Sequence, residues 1–420
     1  MARGGASIGA MTTFGQVFAE PRFRVLFVGQ TLLVAGDTVK MLAFSVLVYA
    51  RTGSPGLSAA AYLSGFLPEV VGGIFLLSIA DRMRPRALMI AGDLLRAATC
   101  VALAVGGLPV WAALALVFVT GVPRPVFSAA RAAMLPEMLA GDAFVLGRAA
   151  LGMVAAGAQI AGFAAGGLVL AATGPERALL VTAALSLLSA AVERLGLPDT
   201  PPRAGGARKG TVRTTLRGNR ELLADRRVRG LLLAGWLPML VFVGAEAVFV
   251  PYLTGLGSPS GAGLVLAATA AGMGLGNLVV GRFVSPDGRE RLVFPLMLLS
   301  GVPLVAFAAR PGVAVAAVLA AAGCACLAYN LGLQRPFVDA VPPDRLGQAY
   351  GLQNSGMMTA QAVGAMLVGA LAEVVPTHHA IAWAGVAAVG CALALRATVR
   401  NGLAVRRPGP VAGSPRTRAR

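Results

Sequence analysis

Long apolar stretches, each closed by a short polar or basic break, run along almost the whole chain. They fall at about 23–50, 57–79, 87–107, 110–130, 144–173, 177–197, 230–254, 262–284, 292–309, 312–334, 346–375 and 380–397. A helix crossing a bilayer needs about 20 mostly apolar residues, and these stretches are of that order. They are dense in Ala, Val, Leu and Gly and do not alternate every second residue, as barrel strands would. The pattern predicts an all-α membrane protein with twelve transmembrane helices. Small residues let such helices approach closely where lipid supplies no hydrophobic drive. Residues 1–20 contain no separate apolar stretch before Phe23, so the first span is expected to remain in the mature chain.

Composition narrows the class. Of 420 residues, 57% are hydrophobic and only 13% charged, about half the share of a soluble globular protein. A soluble enzyme lacks the polar residues for its surface at this composition. The net charge of +18 on a soluble chain points to nucleic acid. Here the positions of the charges explain it, and no nucleic-acid partner is expected. Taking the N-terminus as cytoplasmic, thirty of the thirty-six Lys and Arg fall in the inner segments and three (Arg51, Arg177, Arg310) in the outer loops. Lys40, Arg96 and Arg124 lie within spans. This asymmetry predicts both termini in the cytoplasm and a multi-pass protein of the cell (plasma) membrane.

The longest polar connection, 198–229, divides the chain. The expected organisation is a cytoplasmic segment 1–22, a six-helix half 23–197, a basic linker 198–229, a second six-helix half 230–400 and a basic tail 401–420. Thr211–Asp225 reads either as an amphipathic surface helix or as plain linker. The halves echo each other. Asp81-Arg82 matches Gly281-Arg282, and Leu146-Gly147 matches Leu346-Gly347, at an offset of 200; Gln159, Gly162 and Gly167 match Gln361, Gly364 and Gly369 at 202. Two six-helix halves in parallel repeat are the layout of an alternating-access carrier.

Enzyme chemistry finds no foothold. His378 and His379 are adjacent, with no Cys or carboxylate at ligand spacing, and no phosphate loop ends in Lys40 or Lys209. Cys100, Cys324, Cys326 and Cys391 lie scattered in apolar runs and read as small packing residues. No enzymatic activity, cofactor or metal is expected.

Charges inside spans cost at least about 2.5–3.5 kcal/mol each at mid-membrane, so each needs a reason. Asp37 and Lys40 in span one stand at i and i+3. Asp37 reads either as a proton-coupling or cation-binding carboxylate or as the structural partner of Lys40. Glu246, about sixteen residues into span seven, has no basic neighbour in sequence and is a second proton or substrate candidate. Glu69 follows Pro68 in span two and favours a structural or gating role. Trp236, Phe242, Phe249, Tyr329, Asn330 and Gln334 stand on spans seven and ten, as cavity candidates if those helices enclose one.

The chain resembles the major facilitator superfamily over about residues 20–400. After span two it reads Ala80-Asp81-Arg82-Met83-Arg84-Pro85-Arg86, in which Asp81, Arg82 and Arg86 match the superfamily's loop motif. Leu77 stands where a Gly is usual, and Arg84-Pro85 replaces a second. Gly36-Asp37, Val48-Tyr49, Thr52-Gly53-Ser54, Asp93 to Ala97, Arg131 to Pro136 and Gly347 to Gly351 are similar to the branch of macrolide-efflux pumps and the enterobactin exporter. Gly162 to Gly167 resembles the antiporter motif, with Phe163 in place of its Pro. The resemblance implies that spans one, four, seven and ten surround a central cavity. It implies a cytoplasmic gate from Asp81, Arg82, Arg86, Asp93, Arg96 and Arg131, and helix packing through Gly162, Gly166, Gly167, Gly364 and Gly369. It also implies a monomer in the lipid bilayer that exports a small amphipathic molecule (antibiotic, metabolite or siderophore) against protons. An importer or facilitator of the same fold, and a non-transporting sensor or assembly partner, stay open as alternatives.

Overall fold

A computed structural model of the chain describes residues 14–65, 68–69, 71–72, 83–139, 142–201, 212–342 and 345–403. The described residues are helical throughout, with no strand among them, and eleven helices are long and apolar enough to cross a membrane. Of the expected second span, 57–79, residues 66–67, 70 and 73–79 lie outside the described residues.

The order begins with α1 (Phe14–Ala19), α2 (Pro21–Thr52), α3 (Pro55–Tyr62), α4 (Pro85–Val105), α5 (Val110–Gly121), α6 (Arg124–Met138), α7 (Asp142–Thr173) and α8 (Pro175–Gly196). The linker carries α9 (Val212–Ala224). Then follow α10 (Arg226–Ala247), α11 (Phe249–Gly255), α12 (Gly261–Phe283), α13 (Pro286–Leu299), α14 (Val302–Val305), α15 (Val313–Ala325), α16 (Asn330–Ala340), α17 (Leu346–Val374) and α18 (Thr377–Leu403). Of the two open readings of 211–225, the structure supports the helix.

The sequence sets the helix ends. Pro21, Pro55, Pro85, Pro175 and Pro286 open helices, where a missing N–H costs nothing and φ is preset. Ser54, Asp225 and Ser285 cap the first turns of α3, α10 and α13 by accepting backbone N–H groups. Gly53 ends α2 at φ 65°, with its N–H on the Tyr49 carbonyl at 2.8 Å; a side chain is disfavoured there. Pro136 in α6 and Pro336 in α16 sit inside their helices, 200 residues apart.

Packing repeats between the halves. In the first, α2 lies against α7 and α8, and α4 against α8; in the second, α10 lies against α17 and α18, and α13 against α18. The glycines show why. A Cβ on Gly162 would run into Thr38 and Ala35 of α2, and one on Gly364 into the Leu240 backbone of α10. Five residues on, a Cβ on Gly167 would meet the Gly263 Cα of α12 at 3.1 Å, and one on Gly369 the Gly56 Cα of α3 at 3.2 Å. Gly162 and Gly364 thus let helices close within a half, and Gly167 and Gly369 let the halves touch each other. Gly166 similarly leaves room for Val39 of α2.

These contacts between halves lie at one end, here termed distal, which carries the short connections 53–54 and 257–260. The opposite, proximal end carries the linker and the starts of α2 and α4: Arg84 reaches Asp199 at 2.5 Å, and a Cβ on Gly196 would strike Val25. Large apolar side chains such as Trp111, Leu168, Phe283, Trp383 and Val374 stay exposed around the molecule. They form the surface that the bilayer covers.

Candidate functional site

The charged side chains of the first half converge on Asp37. Midway along α2, Gly36 lets the Thr182 side chain of α8 come near, while Asp37 turns the other way. Lys40, one turn later on the same face, places Nζ 3.1 Å from Asp37 Oδ1. Arg96 of α4 brings Nε to 3.2 Å from the same oxygen. Arg124, the first residue of α6, donates from Nη2 to Asp37 Oδ2 at 2.7 Å. Its Nη1 stands 3.3 Å from Glu69, and Arg96 donates from Nη1 to Asp93 Oδ1 at 2.9 Å. Three cations and three carboxylates therefore form one connected, formally neutral network across α2, α4, α6 and residues 68–69. Ion pairs buried in this way are tolerated only when nearly every charge is matched.

A small cavity adjoins the network, lined by Asp37, Lys40, Phe44, Tyr62, Ser64 and Arg124. A second lies behind it, where Lys40, Arg96 and Arg124 meet Thr99 and Thr120.

Glu246 stands elsewhere. It lies near the end of α10, at the boundary of the halves, and its Oε1 accepts a hydrogen bond from Tyr62 of α3 at 2.9 Å. It forms no ion pair among the described residues. Closer to the distal surface, Glu373 of α17 accepts from the Gly56 N–H at 2.7 Å and from the Ser54 hydroxyl. The short helix α3 is thus tied to carboxylates of the other half at both ends.

The expected gate is distributed differently. Asp81 and Arg82 lie outside the described residues. Arg86 donates to the Leu197 carbonyl at 3.0 Å and lies 3.6 Å from Asp199. Arg131 is buried against Glu193 of α8 at 2.7 Å, beside Gly29. Asp93 and Arg96 face inward to Asp37. In this arrangement Arg86, the pair Asp93 and Arg96, and Arg131 form three separate tie points. The partners found for them belong to the first half or, for Asp199, to the start of the linker.

The expected cavity residues take these positions. Phe242, Phe249 and Tyr329 are fully buried in the core of the second half. Phe249 stacks on Phe307 with ring centres 5.5 Å apart, and the Tyr329 hydroxyl donates to the Ala234 carbonyl at 3.0 Å. Trp236 is half-buried and donates to the Gln353 carbonyl at 3.0 Å. Asn330 is half-buried and donates to the Leu327 carbonyl, and Gln334 is exposed. An aromatic pattern on a helix does not separate packing from lining.

Sequence reasoning did not single out Tyr62, Glu193 or Glu373 as site residues. Glu193 and Glu373 are carboxylates at the ends of spans and were detectable as such; Tyr62 gave no signal. The linker helix docks at the proximal end. Glu221 receives hydrogen bonds from Arg345 at 2.7 Å and Arg217 at 3.2 Å, and these hold its carboxyl below the ordinary carboxylate range. Gln348 donates to Asn219 at 3.0 Å.

Comparison with known proteins places this geometry. The chain is 23% identical to macrolide efflux protein A of Streptococcus pyogenes over 372 residues, covering 85% of this chain and 91% of that one. It is 29% identical to the multidrug efflux pump Tap of Mycobacterium tuberculosis over 384 residues, covering 85% and 88%. Its fold is similar to that of the nucleoside transporter NupG, with a TM-score of 0.74 at 14% identity, covering 90% of this chain and 99% of that one. A bacterial homologue of the iron transporter ferroportin, in an inward-facing state, gives a TM-score of 0.66 at 15% identity over 91% and 99%. The Major Facilitator Superfamily profile matches residues 26–257 and 245–419. With two helical halves in repeat and family matches along nearly the whole length, the chain is a membrane transporter belonging to the Major Facilitator Superfamily.

Proposed function

We propose that the protein exports small amphipathic organic molecules from the cytoplasm in exchange for protons. The observation that carries the reading is the placement of Glu246, a carboxyl at the boundary of the halves with no ion-pair partner among the described residues. A carboxylate buried without a cation is costly, so here a bound proton changes the energy of the site most. Asp37 faces three cations and reads as the counter-ion that holds the first half together. This favours Glu246 over Asp37 as the coupling group.

Export is supported by the two efflux relatives, and the orientation in the membrane by the charge asymmetry of the sequence, which puts the termini and the proximal end in the cytoplasm. The halves meet at the distal end, so this arrangement is the one closed toward the outside. Alternating access then requires the contacts of α3 with Glu246 and Glu373 to part while the proximal ends close. A macrolide or a lipophilic cation, with a large apolar body and few polar groups, suits walls made mostly of Ala, Val, Leu and Gly.

The test is transport by the purified protein in vesicles under an imposed pH gradient, with erythromycin and ethidium as probes and lumenal pH followed in parallel. Gradient-driven movement of a probe with opposite proton flow, lost in Glu246→Gln while exchange of probe for probe continues, is the expected result. Probe movement without proton flow, or proton flow intact in Glu246→Gln, overturns the assignment. Movement in the same direction as protons would make the chain an importer.

A further inference from the structure

We propose that Tyr62 is the positioning residue that makes the proton on Glu246 control closure of the distal end; this rests on the reading of Glu246 above. The hydrogen bond between them, at 2.9 Å, is a contact between halves: Tyr62 ends α3 in the first and Glu246 belongs to α10 in the second. Tyr62 is buried, with the Cys324 thiol of α15 close to the same carboxyl. On its other side the Tyr62 ring closes the cavity that Asp37, Lys40 and Arg124 line. Those charges are occupied with one another, and none forms an ion pair with Glu246. The nearest carboxylate toward the distal surface, Glu373, is engaged with Ser54 and Gly56 at the other end of α3.

This arrangement gives linkage between protonation and shape. The hydroxyl that Glu246 uses is supplied by the opposite half, so separating the halves at the distal end removes it and admits water. Bringing them together buries the carboxyl again with one neutral donor. Closure around an uncompensated carboxylate costs more than closure around the acid, so protons taken up from outside favour the distally closed arrangement. Any group that binds a proton more strongly in one arrangement than the other shifts the equilibrium between them by that difference. Tyr62 sets its size. By donating to the carboxyl it offsets part of the burial cost, so the distal end closes at proton concentrations that would not otherwise suffice.

The experiment measures the distance between spin labels at Thr52→Cys and Ser258→Cys, in full-length protein with its four cysteines replaced, in vesicles across a range of pH. The parent protein is expected to close distally as pH falls. Tyr62→Phe keeps the ring and removes the donor, so burying the carboxyl costs more; it is expected to move the midpoint downward, closing only at about tenfold higher proton concentration or beyond. Glu246→Asp withdraws the carboxyl by one methylene and should move it the same way, which covers the case of a Tyr62→Phe protein that does not fold. Tyr252→Phe removes a buried hydroxyl that bonds the Pro311 carbonyl within one half, and should leave the midpoint in place. If Tyr62→Phe and Glu246→Asp keep the parent midpoint while Glu246→Gln abolishes the pH response, Glu246 remains the proton site and the role of Tyr62 is overturned. If Glu246→Gln responds to pH as the parent does, the proton site itself is wrong and both readings fall.

Discussion

Arg124 and Asp37 meet at 2.7 Å although they stand 87 residues apart, on the fourth and first spans. The same guanidinium reaches Glu69, so one side chain ties three stretches of the first half together. Asp37→Asn leaves Lys40, Arg96 and Arg124 without their shared counter-ion. Stranding buried charges costs about 3–5 kcal/mol, and thermal unfolding in detergent should show a large loss. Asp37→Asn combined with Arg124→Gln should lose less than the two single changes added together. Full additivity would mean that the pair does not interact.

Glu373→Gln keeps the shape of the clasp on α3 but removes the charge that faces the Ser54 hydroxyl and the Gly56 N–H. The distal contact should open more often. A cysteine at Ala59, buried against Gly369 in the closed arrangement, should react with a membrane-impermeant maleimide several-fold faster in this background. Equal rates would rule the clasp out as a closing contact.

Gly364→Val and Gly162→Val each place a branched side chain where the neighbouring helix already stands. Both should cut the amount of folded protein sharply, because overpacking of this kind costs roughly 1–3 kcal/mol or more. Gly152→Val and Gly351→Val, where nothing lies within 4 Å of the added carbon, should be tolerated. Yields measured by size-exclusion profile would separate the two classes.

The contrast between these glycines shows how far the sequence could be read. Span lengths, the two halves and the offset of 202 residues follow from local composition and from close-packing residues that a repeat must keep. Which glycine packs within a half and which between halves does not follow, since both lie on one helix five residues apart. The in-span charges were visible one by one, because each is costly in lipid. Their pairing was not: Asp37 with Arg124, Arg131 with Glu193 and Glu246 with Tyr62 are separated by 62 to 184 residues. Phe249 and Tyr329 read as lining residues because helical spacing gives a face but not the neighbour that covers it.

The docking of the linker helix should depend on pH. Glu221 has its carboxyl lowered by Arg345 and Arg217, so its contribution is fully present above the ordinary value of about 4.3. It is lost as pH falls through the lower value that the docked state holds. Hydrogen exchange across 212–224 should therefore stay slow near neutrality and quicken in strong acid, after correction for the intrinsic rate. Arg345→Gln should quicken it at neutral pH as well. Protection that is the same in both proteins at neutral pH would count against the contact.

The neutrality of the Asp37 network reaches beyond stability. A membrane potential acts on each elementary charge with about 2.3 kcal/mol per 100 mV, and a group of charges that moves as a unit feels only their sum. Lys40, Arg96 and Arg124 against Asp37, Glu69 and Asp93 sum to zero. This network can move through the field as a unit without the voltage favouring either direction. Any voltage sensitivity of transport then belongs to the cargo and to whatever proton Glu246 carries. A neutral substrate and a cationic one should accordingly give current–voltage relations that differ by the substrate's own charge.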